Sequence, residues 1–175
     1  MCPECGLDYD TVSPGDAAVA VRSFPRRYRA LLTGFGNDDD DPDSVIRRRP
    51  DPTTWSALEY TAHVADVLDE IGVAVRRIVV EDEPALTSSV PDRRVAEKDY
   101  NAMDRMEVLG WLELVCAGLA EQLEGVRPDD WSRIGRFDWG ERDALAMTRN
   151  AVHEGSHHLR DVQRVLSQVR GLPPA

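Results

Sequence analysis

The stretch WSALEYTAHVADVLDEIGVAVRRIV, residues 55–79, decides the fold class of this chain. Its apolar residues recur every three to four positions, which is the spacing of one face of an α-helix. The recurring positions are Leu58, Ala62, Ala65, Leu68 or Asp69, Gly72, Val75 and Val79. Capping oxygens precede the stretch at Asp51, Thr53 and Thr54. Because Glu83–Pro84 follows the pattern, we expect a helix that ends near that point.

Three further segments show helical spacing, and we find no hydrophobic strand pattern of any length. These segments cover residues 17–32, 104–125 and 141–169. Pro25 lies inside the first of them and should bend or break that helix. Four amphipathic segments without strand signals predict an all-α fold, namely a four-helix bundle. The polar stretch 84–100 is long for a connection in such a bundle, and we expect at most a short helical turn in it.

The sequence divides into three parts. An N-terminal tail with a knuckle-like CPxCG turn covers 1–14, the helical bundle covers 15–170, and a C-terminal tail covers 171–175. Within the bundle, the acidic run Asp38–Asp41 precedes Pro42. A run of like charges of this kind is typical of a solvated loop.

Charge and composition narrow the classes of partner. The formal net charge is −11, which argues against a nucleic-acid binder and against attraction to anionic membranes. No apolar run approaches the length that a membrane span needs, and no signal peptide precedes the first helix. Three cysteines without an export signal indicate a reducing compartment. We therefore expect a cytoplasmic protein that binds a small molecule or another protein.

The histidines are the strongest candidates for metal ligands. HEGSHH, residues 153–158, places His153 and His157 four positions apart, on one face of a helix. His158 is rotated by about 100° from His157, off that face. His63 lies in the middle of the second helix and can supply a third nitrogen from a facing helix. Histidines at such spacing are also common as ordinary surface or hydrogen-bonded residues.

A site of His63, His153 and His157 would suit a divalent ion, with zinc as the default and nickel or iron(II) as alternatives. Three protein ligands would leave a fourth position open, as in catalytic sites. His153–His157 also fits the H-E-x-x-H pattern of zinc proteases, but no third ligand follows it. Glu154 is then either a surface acid of the helix or a general base.

Two motifs resemble those of the DinB-like family. RPDPTTWSALEYTAH, residues 49–63, resembles the R-P-x-x-x-x-W-S-x-x-E-x-x-x-H motif that opens the family's metal site. His153-x-x-x-His157 followed by Leu159 resembles the H-x-x-x-H-L motif of its last helix. The resemblance covers residues from about 15 to 170. It implies a four-helix bundle that binds a divalent metal through His63, His153 and His157, commonly as a homodimer.

The resemblance also implies a class of reaction. Related proteins include bacillithiol and mycothiol S-transferases and a mycothiol-dependent isomerase, which use the metal to bind a thiol and lower its pKa. The isomerases carry glutamate where this chain has His153, so the chain resembles the three-histidine branch instead. The leading hypothesis is a metal-dependent S-transferase that joins a small thiol such as mycothiol to an electrophile. A metal-dependent hydrolase and a non-enzymatic metal-binding or interaction protein are the alternatives.

Other residues keep more than one interpretation. Cys2 and Cys5 belong either to a disordered tail, to a second metal site completed by a partner subunit or by His158, or to a redox dithiol. Arg149 would meet a carboxylate of the cofactor or lie on the surface. Tyr60, like Trp55 and Tyr28, would line the approach to the metal or pack in the bundle. Cys116 falls in a helix stripe and is expected in the core.

Overall fold

The structure, a computed structural model, describes residues 1–35, 41–87 and 91–173. Its helices are α1 (Pro14–Thr33), α2 (Pro42–Arg47), α3 (Ala57–Val80), α4 (Pro91–Lys98), α5 (Arg105–Glu124) and α6 (Ala144–Val169). The four long helices α1, α3, α5 and α6 form a bundle, so the predicted all-α, four-helix class is confirmed. In the connection 84–100, where a short helical turn was expected, the structure has the eight-residue helix α4.

Consecutive long helices are not always neighbours in this bundle. Helix α1 packs against α5 and α6, and α3 packs against the same two helices. The first and second long helices therefore face each other across the bundle. The core of α1 shows how the sequence specifies this packing, since Phe24, Tyr28 and Leu32 recur every four residues and are fully buried. Cys116 is also fully buried, as predicted.

Pro25 does not break the first helix. Helix α1 continues through it from Pro14 to Thr33. A proline inside a helix costs about 3 kcal/mol because it removes a hydrogen-bond donor and crowds the preceding turn. Its neighbour Phe24 and, one turn further on, Tyr28 are both fully buried. Burying each of these side chains contributes about 1.5–3 kcal/mol, which offsets the proline.

The second long helix starts later than predicted. Its cap is Ser56, whose hydroxyl accepts the backbone N–H of Glu59 at 3.1 Å. The Glu59 carboxylate in turn accepts the backbone N–H of Ser56 at 2.8 Å, completing a capping box. The predicted capping residue Asp51 instead closes the preceding turn by accepting the backbone N–H groups of Thr53 and Thr54.

A small sheet was missed by the sequence analysis. Its strands are β1 (Ala85–Leu86), β2 (Ile134–Phe137) and β3 (Gly140–Asp143). Strand β2 pairs with β1 in parallel and with β3 as an antiparallel hairpin. Strands of two to four residues, half of them exposed, produce no hydrophobic alternation that could reveal them.

The hairpin also moves the start of the last helix. Glu141, predicted as its beginning, lies in β3, and α6 begins only after Asp143. The Asp143 carboxylate caps α6 by accepting the backbone N–H of Ala146 at 2.6 Å. Gly135 lets β2 lie close to α3, because a Cβ there would come within 2.7 Å of Ile78. The hairpin is thus seated on the bundle beside the start of α6.

A charged cluster attaches α4 to α3. Asp66 is only 4% exposed, although it carries a carboxylate. Its Oδ1 accepts Arg94 Nη2 at 2.6 Å and Lys98 Nζ at 2.8 Å. The hydroxyl of Tyr100 donates to its other oxygen. Asp66 thus pairs with the only lysine of the chain, Lys98, and with one arginine of the same helix.

Some predictions fall outside the described residues. Of the acidic run Asp38–Asp41, only Asp41 is described, and it caps α2 by accepting the backbone N–H groups of Asp43 and Ser44. The last two residues of the predicted tail 171–175 are likewise outside, and the three-part division of the chain stays a prediction. Among the described helices, none has the length and apolarity that crossing a membrane requires.

Candidate metal centre

All four histidines of the chain lie close together. Three of them lie within about one and a half turns of α6, and the fourth, His63, faces them from α3. The ring of His63, on α3, lies 5.0 Å from that of His158 between centroids. The His158 ring lies 5.3 Å from that of His157, which lies in turn 5.0 Å from that of His153. The four rings therefore form a row that starts at α3 and runs along α6 towards the N-terminal tail. We call this row the histidine cluster.

The ligand atoms of the cluster fall into two main groups. His63, Glu154 and His158 each offer one atom within 4.8 Å of the others, and we call them the inner group. The second group, which we call the tail group, also has its ligand atoms within 4.8 Å of one another. It consists of Cys2, Cys5, His153 and His157. A third set, His157, His158 and Asp161, overlaps both groups.

The structure does not bring the three predicted ligands together in one group. His63 belongs to the inner group, whereas His153 and His157 belong to the tail group. His158 is turned away from the His153–His157 face, as expected, but this direction points it at His63. The sequence signal that could have found the inner group is the four-residue spacing of Glu154 and His158 on α6. Which histidines bind an ion stays a prediction.

Glu154 is the centre of the inner group. Its Oε2 lies 3.3 Å from Nε2 of His158 and 3.9 Å from Nε2 of His63. Its Oε1 lies 3.6 Å from Nδ1 of His153, so the carboxylate also contacts the tail group. Burial would raise the pKa of Glu154, but the neighbouring imidazoles of His158 and His63 outweigh it and hold the pKa far below its usual range. The side chain is thus an anion facing three imidazoles.

The other nitrogen of His158 is fixed from α6. Its Nδ1 lies 2.8 Å from Oδ2 of Asp161, which is buried. The second oxygen of Asp161 accepts Arg164 Nη2 at 2.6 Å. Burial disfavours the charged imidazole, yet the hydrogen bonds to Asp161 and Glu154 raise the pKa of His158 to about 9. Without a metal, the inner group is therefore held by a protonated His158 between two carboxylates.

The N-terminal tail is folded onto α6. Arg149 donates from Nε to the carbonyl of Val12 at 3.1 Å and from Nη2 to the carbonyl of Asp10 at 3.0 Å. Arg160 donates to the carbonyl of Glu4 at 3.2 Å. The Arg149 guanidinium, a predicted contact for a cofactor carboxylate, thus holds the tail while it also lines a cavity. These contacts place the CPxCG turn over His153 and His157.

The two tail cysteines differ in environment. Sγ of Cys2 lies 3.8 Å from Nδ1 of His157. A hydrogen bond from the backbone of Cys5, followed by the effect of the neighbouring imidazole of His153, lowers the pKa of Cys2 to about 6. Cys5 is buried, and its burial raises the pKa of its thiol. The first thiol is therefore prepared to act as a thiolate at neutral pH.

A cavity of about 570 Å³ opens beside the inner group. It lies between α3, the β2–β3 hairpin and the start of α6, and His63 is part of its wall. Its wall also includes Val67, Ile71, Phe137, Trp139 and Arg142. This volume falls within the range of about 300–1,000 Å³ that ligand pockets usually have. A wall that combines apolar side chains with the arginines Arg142 and Arg149 and the carboxylates of Asp10 and Glu70 can receive an organic molecule with a polar end.

Several residues of the 49–63 motif support the position of His63. Arg49 donates from Nε to Glu59 at 2.8 Å and from a second nitrogen to its other oxygen, which fixes the first turn of α3. Trp55 packs edge-on against the ring of His63, with 5.1 Å between centroids. Tyr60 lies between Trp55 and His158, 5.4 Å from the latter ring. Both aromatic residues thus orient imidazoles.

Tyr28 does not line the approach to the cluster. It is fully buried, and its hydroxyl donates to the carbonyl of Gly155 at 2.9 Å. Beside it, Gly155 lets Phe24 of α1 lie directly against the turn of α6 that carries the histidines. These contacts set the position of that turn relative to α1.

Comparisons with known proteins agree with this architecture. YfiT from Bacillus subtilis, described as a probable metal-dependent hydrolase with an unusual four-helix bundle topology, superposes with a TM-score of 0.80 at 14% identity, covering 99% of this chain and 95% of YfiT. TT2238, described as a four-helix bundle protein, superposes with a TM-score of 0.59 at 22% identity, covering 86% and 98%. At these identities the likeness shows the fold alone. No curated protein sequence matches the chain.

The sequence itself matches a family. The family model of the DinB superfamily matches residues 20–162, which include all four histidines and most of the bundle. The match covers well over half of the chain, and the fold agrees with it. The protein therefore belongs to the DinB superfamily.

Proposed function

We propose that this protein is a metal-dependent enzyme that activates a small nucleophile at the histidine cluster, with thiol S-transfer as the leading reaction. One observation carries the proposal: the inner group offers three ligand atoms within 4.8 Å of one another, and His63 also forms part of the cavity wall. Two imidazoles and a carboxylate are a known donor set of catalytic zinc sites, and three protein ligands leave a position open. When bound there, a zinc-type ion lowers the pKa of a thiol or a water molecule.

The chain's own residues prepare this donor set. Asp161 holds Nδ1 of His158, which leaves Nε2 directed towards Glu154. Carboxylates that grip the outer nitrogen of a histidine in this way fix its orientation and make it a better ligand. The ring of Trp55 packs edge-on against the ring of His63 and fixes its orientation. The predicted set of His63, His153 and His157 remains the alternative.

Two features favour thiol transfer. The cavity beside His63 has the volume of a pocket for an organic ligand, about 570 Å³. Its walls at Val67, Ile71 and Phe137 suit an apolar electrophile. The resemblance to bacillithiol and mycothiol S-transferases points the same way. The proposed partners are therefore a small-molecule thiol such as mycothiol and an electrophile, with zinc, nickel or iron as the metal.

Hydrolysis is the second candidate. Two histidines and a glutamate are the ligands of hydrolytic zinc enzymes, in which the open position activates water. The structurally similar YfiT is described as a probable metal-dependent hydrolase. A homodimer and a cytoplasmic location rest on the resemblance and on the composition, and we propose them on that basis only.

The test combines metal analysis with two activity panels. Purified protein is loaded with zinc, nickel or iron(II) and assayed with a fluorogenic bimane, with and without each of several thiols, and with a panel of esters and amides. We expect turnover that requires both metal and thiol. Ester or amide cleavage without thiol would establish the hydrolase instead. Absence of both activities with every metal would refute the enzymatic proposal.

Matched variants connect the activity to the site. Glu154→Gln keeps the size of the side chain but weakens its ligand oxygen, so turnover should fall at least about 100-fold, the upper range for changes around metal ligands. Glu121→Gln makes the same change on the exposed face of α5 and should leave turnover unchanged. Equal effects of the two substitutions would show that the inner group is not the reaction centre.

A further inference from the structure

The N-terminal tail carries chemistry that the proposed reaction does not use. Its two thiols lie on two histidines of α6 that are more than 145 residues away in sequence. We propose that Cys2, Cys5, His153 and His157 form a closed, tetrahedral site for a zinc-type ion, separate from the inner group. This assignment does not depend on which reaction the protein catalyses.

The donor set and its spacing fit such an ion. Two thiolates and two imidazoles are the ligands of a common class of structural zinc site. With bonds of about 2.3 Å to sulfur and about 2.0–2.1 Å to nitrogen, tetrahedral geometry places the ligand atoms roughly 3.3–3.8 Å apart. Sγ of Cys2 and Nδ1 of His157 are 3.8 Å apart, and all four ligand atoms lie within 4.8 Å of one another. Each of the four atoms needs to move towards their common centre by less than about 1 Å to reach bonding distance from an ion placed there.

The backbone of the tail forms the turn that this site needs. The backbone N–H of Gly6 donates to the carbonyl of Cys2 at 2.8 Å, and the N–H of Cys2 donates to the carbonyl of Leu7 at 2.8 Å. Gly6 has a φ of +72°, a conformation that suits glycine. The loop thus curls back on itself and presents both sulfur atoms on one side. C-x-x-C followed by glycine is the sequence of such a metal-binding knuckle.

An unpartnered nitrogen provides independent support. Nε2 of His153 is buried and has no hydrogen-bond partner among the described residues. Leaving a buried polar atom unpaired costs about 1–3 kcal/mol, so such an atom is usually paired with another protein group, an ordered water or a bound ion. The ring of Tyr9 packs against His153 at 5.2 Å between centroids and holds it in place. Tyr9 belongs to the same tail as the cysteines, so the tail both orients this imidazole and brings thiols to it.

From the sequence, His158 or a partner subunit was expected to supply the remaining ligands of a site at Cys2 and Cys5, and neither is needed. His158 has both ring nitrogens engaged, one by Asp161 and one by Glu154, and it belongs to the inner group. A partner subunit is unnecessary because one chain supplies four ligands. A redox dithiol would not account for the two imidazoles beside the sulfur atoms. Four protein ligands leave no open position, so the ion would act as a clamp that fastens the tail to α6.

Cobalt substitution tests this site directly. The metal-free full-length protein is titrated with Co²⁺, which gives a near-ultraviolet thiolate-to-cobalt charge-transfer band only when cysteine sulfur binds it. We expect that band to be complete by two equivalents of cobalt per chain, one for each group, together with intense visible bands typical of tetrahedral coordination. Cys2→Ser/Cys5→Ser should abolish the charge-transfer band, whereas Cys116→Ala, which removes the buried core thiol, should retain it. His63→Ala should also retain it while losing the ion of the inner group.

The outcomes separate this proposal from the proposed function. A wild-type protein that binds cobalt without the charge-transfer band, or binds none, would overturn the tail site whatever its catalytic activity. A band that survives Cys2→Ser/Cys5→Ser would overturn it as well. Circular dichroism verifies that the variants keep their helices, which the tail residues do not form. As a second measurement, chelation should speed protease cleavage within residues 1–12 of the wild type at least tenfold, and an unchanged cleavage rate would contradict the clamp.

Discussion

Substituting Gly155 by alanine should destabilise the protein, although alanine is the better helix former. A Cβ at this position would lie 2.2 Å from Cε2 of Phe24 and 2.4 Å from its Cζ. Ordinary contacts between carbon atoms are about 3.5–4.0 Å, so the ring or α6 must move by more than about 1 Å. Phe24 is fully buried and cannot turn outwards without opening the core.

The size of the effect follows from opposing contributions. Overpacking a dense core costs about 1–3 kcal/mol, and replacing glycine in a helix regains up to about 1 kcal/mol. Moving α6 would also stretch the hydrogen bond from Tyr28 to the Gly155 carbonyl, now 2.9 Å, at a further cost of about 1 kcal/mol. We expect a net loss of about 2 kcal/mol in the free energy of unfolding. For a chain of this size, that lowers Tm by about 4–8 °C.

Thermal and urea unfolding followed by circular dichroism measure this loss. Gly118→Ala is the matched control, because Gly118 also lies in a long helix but has nothing within 4 Å of an added Cβ. That substitution should stabilise the protein by about 0.5–1 kcal/mol. Adding Phe24→Leu to Gly155→Ala should cost less than the sum of the two single changes. A Gly155→Ala protein as stable as the wild type would refute the packing explanation.

Three further predictions concern charged groups. Because its folded-state pKa is raised from about 6.5 to about 9, protonated His158 stabilises the metal-free protein fully below about pH 6.5. Up to about 3 kcal/mol should be lost as the pH rises through 9, and urea unfolding of Glu154→Gln should show a shallower loss. Asp66→Asn leaves the cations of α4 without their buried partner and should cost about 2 kcal/mol, seen as faster amide exchange in α4 rather than in α5. Arg49→Lys removes the paired contact with Glu59 and should cost about 1 kcal/mol in urea unfolding, while Arg26→Lys on the exposed face of α1 should cost nothing measurable.

The parts of the fold that could be predicted are those with a long repeating pattern. A helix such as α3 repeats its apolar spacing over more than six turns, so isolated exceptions do not hide it. Pro25 was misjudged because the local cost of proline says nothing about the tertiary burial of Phe24. Strand β1 has two residues and exists only because β2 lies beside it, which no local pattern reveals.

The candidate site was predictable in its residue types but less so in its grouping. The two motifs named His63, His153 and His157 as metal-binding candidates, since imidazoles at helical spacing are few. The direction of His158 depends on the rotation of α6 relative to α3, which packing sets and sequence spacing does not. The position of Cys2 depends on a tail that folds onto α6, and a contact across 155 residues leaves no mark in the local sequence.

Glu154 has a consequence for binding at both ends of the histidine cluster. Its carboxylate faces His63 and His158 on one side and His153 on the other. A proton or an ion taken up on either side changes the charge that the same anion experiences on the other side. Two binding events that share a group in this way are coupled, and thermodynamics requires each to alter the other's affinity by the same factor. Through this one side chain, an ion bound in the tail group would change the affinity of the inner group for its own ion. Binding at the inner group would in turn change the affinity of the tail group.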